Sequence, residues 1–234
     1  MSFRALTIGL GALLELAVAG CHSEQKPSAQ GGTSGSGGQG STQTSFFVSS
    51  DKSMTGNLGG LSGADARCKA LADAAGLGNK TWHAYLSVES DPANGGAATN
   101  ARDRIGAGPW YNSKGALVAN DVAALHSRTG DAELFLDEHG TKINGQWPGS
   151  PTPNEHDVLT GSNPDGTVMP SMTCANWTSA DAGMAAQVGH SDGLGPGANA
   201  NPPFSSWNSA HASQGCNDTA PRGGAGRIYC FAIN

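Results

Sequence analysis

The chain has 234 residues, a net charge of −6, 35 glycines and only 14% charged residues. A mildly acidic chain with scattered Lys and Arg lacks the basic footprint of a nucleic-acid binder and the polybasic patch that holds anionic lipid. Much Gly with little charge excludes a helical bundle and points to long turns around a modest scaffold.

The first element is an export signal. Arg4 precedes an apolar run from Ala5 to Ala19, interrupted by Glu15 and ending in Val18-Ala19-Gly20-Cys21. A charged start, an apolar stretch and small residues before a cut site read as a secretory signal over residues 1–20. The run is too short and too rich in Gly and Ala to span a bilayer. Its end resembles the lipobox of bacterial lipoproteins. That resemblance implies a diacylglyceryl group on Cys21, cleavage before it and acylation of the new amine. His22 stands where Asp would signal inner-membrane retention in enteric bacteria, so the resemblance implies an outer-membrane or cell-surface address. From Cys21 to Thr44 the chain is mostly Gly, Ser, Gln and Thr, with almost nothing to bury. It reads as a lipidated Cys followed by a disordered tether.

Residues 45–234 are expected to form one domain, large enough at about 190 residues to bury its own core. Phe46-Phe47-Val48 is a first strand. Ser62 caps a helix running to about Ala75 and closed by Gly76. Ala64, Cys68, Leu71, Ala72 and Ala75 fall at helical spacing, so Cys68 faces the core. Thr81–Val88 alternates, with Trp82, Ala84, Leu86 and Val88 on one face and His83, Tyr85 and Ser87 on the other, the pattern of a half-buried strand. Short strands are expected at Glu133–Leu136, before a turn near His139-Gly140, and at His156–Leu159. Residues 161–220 read as mostly irregular, with a weak strand at Ala185–Val188. Arg227–Ile233 closes the chain as a strand carrying Cys230. The result is an α+β domain with long irregular loops. Besides Cys21, four cysteines remain: Cys68, Cys174, Cys216 and Cys230. An even number in an exported chain implies two disulfides, and spacing leaves all three pairings open.

Gly59-Gly60-Leu61-Ser62-Gly63-Ala64-Asp65, then Cys68, Gly76-Leu77 and Trp82-His83-Ala84-Tyr85-Leu86-Ser87, resembles the opening of the endostatin domain of collagens. Leu159 to Gly166, followed by Cys174 and Trp177-Thr178-Ser179, resembles its later half, and Ile228-Tyr229-Cys230 its closing strand. The pattern is also similar to bacterial endostatin-like and lectin-like surface lipoproteins. The resemblance covers about Phe46 to Asn234 and implies a C-type-lectin-like fold. It also implies first-to-last and middle-to-middle cysteine pairing, Cys68–Cys230 and Cys174–Cys216.

Sugar-binding lectins of this fold hold calcium with a Glu-Pro-Asn or Gln-Pro-Asp triplet and a Trp-Asn-Asp triplet. Asn163-Pro164-Asp165 and Trp207-Asn208-Ser209 stand near those places, but Asn163 and Ser209 replace acids. Two lost carboxylates remove most of the charge a calcium ion needs. Asn163, Asp165, Trp207 and Asn208 remain candidate ligand-binding residues, with Trp110 and Trp147 as exposed platforms in polar loops. Gly189-His190-Ser191-Asp192-Gly193 fits the nucleophile elbow of serine hydrolases, but Leu194-Gly195-Pro196-Gly197 cannot start the helix that motif needs. Glu138-His139 and Glu155-His156-Asp157 set possible metal ligands side by side. Neighbours in a strand point to opposite faces, so they rarely share an ion. The zinc site of animal endostatins depends on a His-rich start that Ser45-Phe46-Phe47 lacks. No catalytic set, no metal ligands and no cofactor are therefore assigned, with calcium kept as the alternative ion. The expected role is non-enzymatic binding of a glycan, a matrix polymer or a partner protein at a membrane surface. The alternatives are a structural envelope lipoprotein, a calcium-dependent lectin and a serine hydrolase.

Overall fold

The computed structural model of the protein describes residues 43–233. The signal, Cys21 and all but the end of the expected tether lie outside the described residues. In chain order the elements are β1 (Phe46–Val48), α1 (Gly60–Ala74), β2 (Trp82–Ala84), β3 (Trp110–Tyr111), β4 (Leu117–Ala119), α2 (Val122–His126), β5 (Asp157–Leu159), β6 (Gln187–His190), β7 (His211–Ala212) and β8 (Gly224–Ala232). Short strands, few helices and long connections make a mixed α and β domain. No helix among the described residues is long and apolar enough to cross a membrane.

β8 organises the sheet. It is nine residues long and buried throughout. β1 pairs antiparallel along one edge. β5 pairs parallel and β2 antiparallel along the other. β6 and then β7 extend the sheet beyond β5. A strand alternates its side chains between two faces, and here both faces are buried. Phe47, Ala84, Leu159, Ile228 and Cys230 enter one core with the buried side of α1. Phe46, Tyr85, Val158, Tyr229 and Phe231 enter the other with Trp110, Phe135 and Trp207. The alternation read in Thr81–Val88 is therefore real, but the strand is not half-buried, because Tyr85 and Ser87 are fully buried on the second side. Hydrogen-bonded strand covers only Trp82–Ala84 of that run.

α1 buries Ala64, Cys68 and Ala72. Its N-cap is Gly59 rather than Ser62. Gly59 has φ 76°, a left-handed conformation that L side chains disfavour, so Ser62 falls inside the first turn. The C-terminal stop is where the sequence puts it. Gly76 has φ 77° and the Leu77 N–H donates to the Ala72 carbonyl at 2.7 Å, a Schellman closure.

The disulfides join Cys68 to Cys230 and Cys174 to Cys216, with Cα atoms 5.5 and 5.7 Å apart. The first ties α1 to β8 opposite both Phe47 and Ala84. Bridging separations of 162 and 42 residues contributes about 5 and about 4 kcal/mol respectively in the chain-entropy model.

Two further boundaries differ from the sequence reading. Glu133–Leu136 is not a strand: the Leu134 and Phe135 N–H groups both donate back to the Asp131 carbonyl in a turn, and Leu136 forms an isolated bridge with Lys142. Thr44 belongs to the domain and not to the tether. It is fully buried, and its carbonyl accepts from Lys80 Nζ at 2.5 Å.

Candidate functional site

The two segments named for calcium do meet. Asn208 Nδ2 donates to the carbonyls of Asn163 and Pro164 at 3.0 and 3.2 Å and to Tyr85 Oη at 3.0 Å. A donor thus stands where a cation would need an acceptor. Asp165 is exposed, and hydrogen bonds from Thr167 Oγ1 and N hold its pKa below the ordinary value. Asn163 donates to Thr167 Oγ1 and the Val168 carbonyl, so both side chains stabilise the local turn.

Two candidate rings are corrected. Trp207 is fully buried, donates to the Leu125 carbonyl at 3.0 Å and packs 4.8 Å from Tyr85. Trp110 is buried against Phe231 and donates to the Ile105 carbonyl. Neither ring can stack on a ligand, nor can the buried Asn208 reach one. Trp147 is half-buried, with Lys142 Nζ 4.9 Å from its ring centre.

Ser191 follows β6, but its Oγ is buried without a hydrogen-bond partner, and no base prepares it as a nucleophile. The pattern around it has a packing reason. A Cβ on Gly189 would lie 1.9 Å from the Trp207 carbonyl oxygen, so only glycine lets β6 pass that close.

A groove of about 1120 Å³ opens between the start of α1, the loop through Asp91 and Asp103, and the turn at Ala175-Asn176. Leu61, Val88 and Ile233 give it an apolar floor. Asp65, Asp91 and Asp103 line it against one guanidinium, Arg104, which is paired with Asp65 at 2.6 Å. Its wall is unusual. Cys174, Ala175, Asn176 and Trp177 have φ of 47°, 51°, 58° and 65°. Left-handed helix costs L residues about 1–2 kcal/mol each. The surroundings over-determine this turn. Cys174 is crosslinked, Trp177 is fully buried with Nε1 donating to the Ser87 carbonyl at 2.8 Å, and Asn176 Oδ1 accepts from the Glu89 N–H at 2.7 Å.

A second cluster lies on the sheet beyond β8. Asp157 on β5 is directly opposite His190 on β6, and Val188 is opposite His211 on β7. Facing partners share a side of the sheet, so Asp157, His190 and His211 project together. His156 stands just before β5. The opposite-faces argument therefore does not apply to it, and its Nε2 lies 3.3 Å from Asp157 Oδ1. His190 Nε2 is also 3.3 Å from Oδ1, and His211 Nε2 is 3.6 Å from Oδ2. The His156, Asp157 and His190 side chains are 3%, 2% and 1% exposed, and that of His211 25%. His156 Nδ1 donates to Asp192 Oδ1 at 2.7 Å. Asp192 also accepts from the N–H groups of Gln146 and Leu194. Burial pushes its pKa up, but His156 and these two donors outweigh that and leave it lowered. The sequence placed His156 and Asp157 beside each other but gave no sign that His190 or His211 would join them, which they do only through strand pairing.

Against known proteins, no family model matches this chain and no curated protein matches it.

Proposed function

We propose that this protein is a lipid-anchored, non-catalytic recognition module. A signal over 1–20 and an acylated Cys21 tether a C-type-lectin-like, endostatin-like domain, which binds a polymer segment in the groove beside α1. The observation that carries this reading is the groove wall. Four consecutive L residues held in a left-handed conformation mark a place where strain is maintained for geometry, and such strain collects at ligand sites. The disulfide pairing and the central closing strand support the fold assignment. Three carboxylates against one paired guanidinium disfavour a polyanion and suit the hydroxyl donors of a neutral glycan.

The test is a glycan array probed with the full chain in detergent, beside an Ala93→Trp variant. Ala93 is exposed at the groove edge, so an indole there blocks the groove without touching the core. Binding of a neutral glycan, lost in the variant and indifferent to added calcium, is the expected result. A silent array would leave a structural envelope protein, and dependence on calcium would leave the calcium-dependent lectin. Globomycin sensitivity and palmitate labelling test the anchor separately.

A further inference from the structure

We propose that His156, Asp157 and His190, with His211 at the mouth of the adjoining cavity, bind one divalent transition-metal ion, with zinc the ion that suits the donors best. This site is independent of the groove and of the anchor.

The first ground is unsatisfied polarity. Both carboxylate oxygens of Asp157 and both ring nitrogens of His190 are buried without a hydrogen-bond partner. Buried polar atoms are nearly always paired, and each one left unpaired costs on the order of 1–3 kcal/mol. Three of them, His190 Nε2 and the two Asp157 oxygens, lie beside the Nε2 atoms of His156 and His211, where one ion would partner them together.

The second ground is spacing. Donor pairs at 3.3, 3.3 and 3.6 Å are long for charge-assisted hydrogen bonds. The two 3.3 Å pairs share Asp157 Oδ1 and fit two edges of a tetrahedron around zinc, while His211 stands off the other carboxylate oxygen. Bonds of 2.0–2.2 Å to N and O set neighbouring ligand atoms about 3.3–3.6 Å apart.

The third ground is the support around the ligands. Asp192 accepts the Nδ1 proton of His156, which fixes the tautomer and leaves the Nε2 lone pair facing Asp157. A carboxylate behind a ligating imidazole is the usual outer partner of a zinc histidine. Asp192 is itself held by two backbone N–H groups, so the arrangement is pre-organised. An entry path exists as well. His156, His190 and His211 line a cavity of about 510 Å³ with Phe204, Pro221 and Arg222.

The donor chemistry selects the ion. Three imidazoles and one carboxylate suit zinc and its borderline neighbours, whereas calcium and magnesium take oxygen ligands. The His156 and His190 rings now stack at 4.2 Å with planes 15° apart. With His156 held by Asp192, ligation turns the His190 ring, and ion entry opens the stack.

The experiment uses the full chain in detergent, without a histidine tag, stripped by chelator and titrated with Zn²⁺ by calorimetry. One Zn²⁺ per chain is expected, Co²⁺ should give the visible absorption of a tetrahedral complex, and Ca²⁺ should give no binding heat. Asp157→Asn should weaken Zn²⁺ binding by about 100-fold or more, and Asp192→Asn by about 10–100-fold. Should Asp157→Asn not fold, His211→Ala carries the test, because its partly exposed ring is removed at little cost to the core. That variant should bind about 10-fold more weakly. His139→Ala, outside the cluster, should bind as wild type does. Absence of stoichiometric Zn²⁺ in the wild type, or unchanged affinity in the folded cluster variants, overturns the proposal.

Discussion

Asp157 and His190 face each other across β5 and β6, with Oδ1 and Nε2 3.3 Å apart and no hydrogen bond between them. The next two residues of β5 are locked, Val158 in one core and Leu159 in the other. Asp157 and His190 are thus mounted beside residues anchored in both cores, where a binding geometry is held at little entropic cost.

That mounting makes the ion a stabiliser. Free Zn²⁺ at 100 times its dissociation constant should add about 2.7 kcal/mol, which for a domain of this size raises Tm by about 5–10 °C. Thermal unfolding of chelator-stripped full chain, with and without Zn²⁺, measures it. Mg²⁺ should give no shift, and equal shifts with both ions would contradict the donor argument.

Gly189→Ala should be among the most damaging single substitutions in the domain. The new methyl meets backbone atoms of Trp207 and Asn208, which cannot swing aside as a flexible side chain can. A loss of about 3 kcal/mol or more is expected, seen as a lowered urea midpoint. A near-neutral result would contradict the close passage of β6 beneath Trp207.

Ala175→Gly should have the opposite sign. Glycine relieves a left-handed residue of about 1–2 kcal/mol, less the roughly 0.5–1 kcal/mol of extra chain freedom it brings to the unfolded state. A net gain of about 0.5–1 kcal/mol is expected from chemical denaturation. Weaker glycan binding in the same variant would tie the strain to recognition.

Stability should also fall in mild acid through His126. Burial lowers its pKa, outweighing the opposing hydrogen bond to the Val122 carbonyl. Its Nδ1 donates to that carbonyl at 2.7 Å, which leaves Nε2 to accept from Tyr85 Oη at 2.8 Å. Tyr85 keeps its proton because burial pushes its own pKa up. The unfolded chain therefore binds the His126 proton more readily than the folded one. The contribution is whole above the ordinary histidine pKa of about 6.5 and is lost as pH falls through the lower folded value. His126→Gln should narrow the gap between urea midpoints at pH 7.5 and pH 5. An unchanged gap would assign the acid sensitivity to other groups.

Local patterns were the readable part. Helical spacing put Cys68 inside, and period-two spacing sorted Trp82 from Tyr85, although a pattern of faces cannot say that each face has a core of its own. The resemblance supplied the crosslinks that spacing left open. Trp110 misled because its neighbours are polar, and Trp207 because its triplet resembles a calcium-lectin one. Residues 106–109 face water while the Trp110 ring turns into the core, a direction composition does not encode. The His/Asp cluster was hidden for a different reason. His156 lies one residue outside β5, and the pairing with β8 shifts between Asp157 and Val158, so strict alternation fails at that point. His190 and His211 join through pairings far apart in the chain, which no local window contains.

Phe46 pairs with Phe231, and the Ala232 N–H donates to the Ser45 carbonyl at 2.9 Å, so the chain enters the domain beside the strand on which it leaves. Opposed forces on these neighbouring ends would peel β1 from β8 one rung at a time, the weakest loading direction for paired strands. The peeling reaches Cys230 at the second rung, where a covalent strut passes the load to the flank of α1. The domain is thus built to fray at its edge under tension while its interior remains shut.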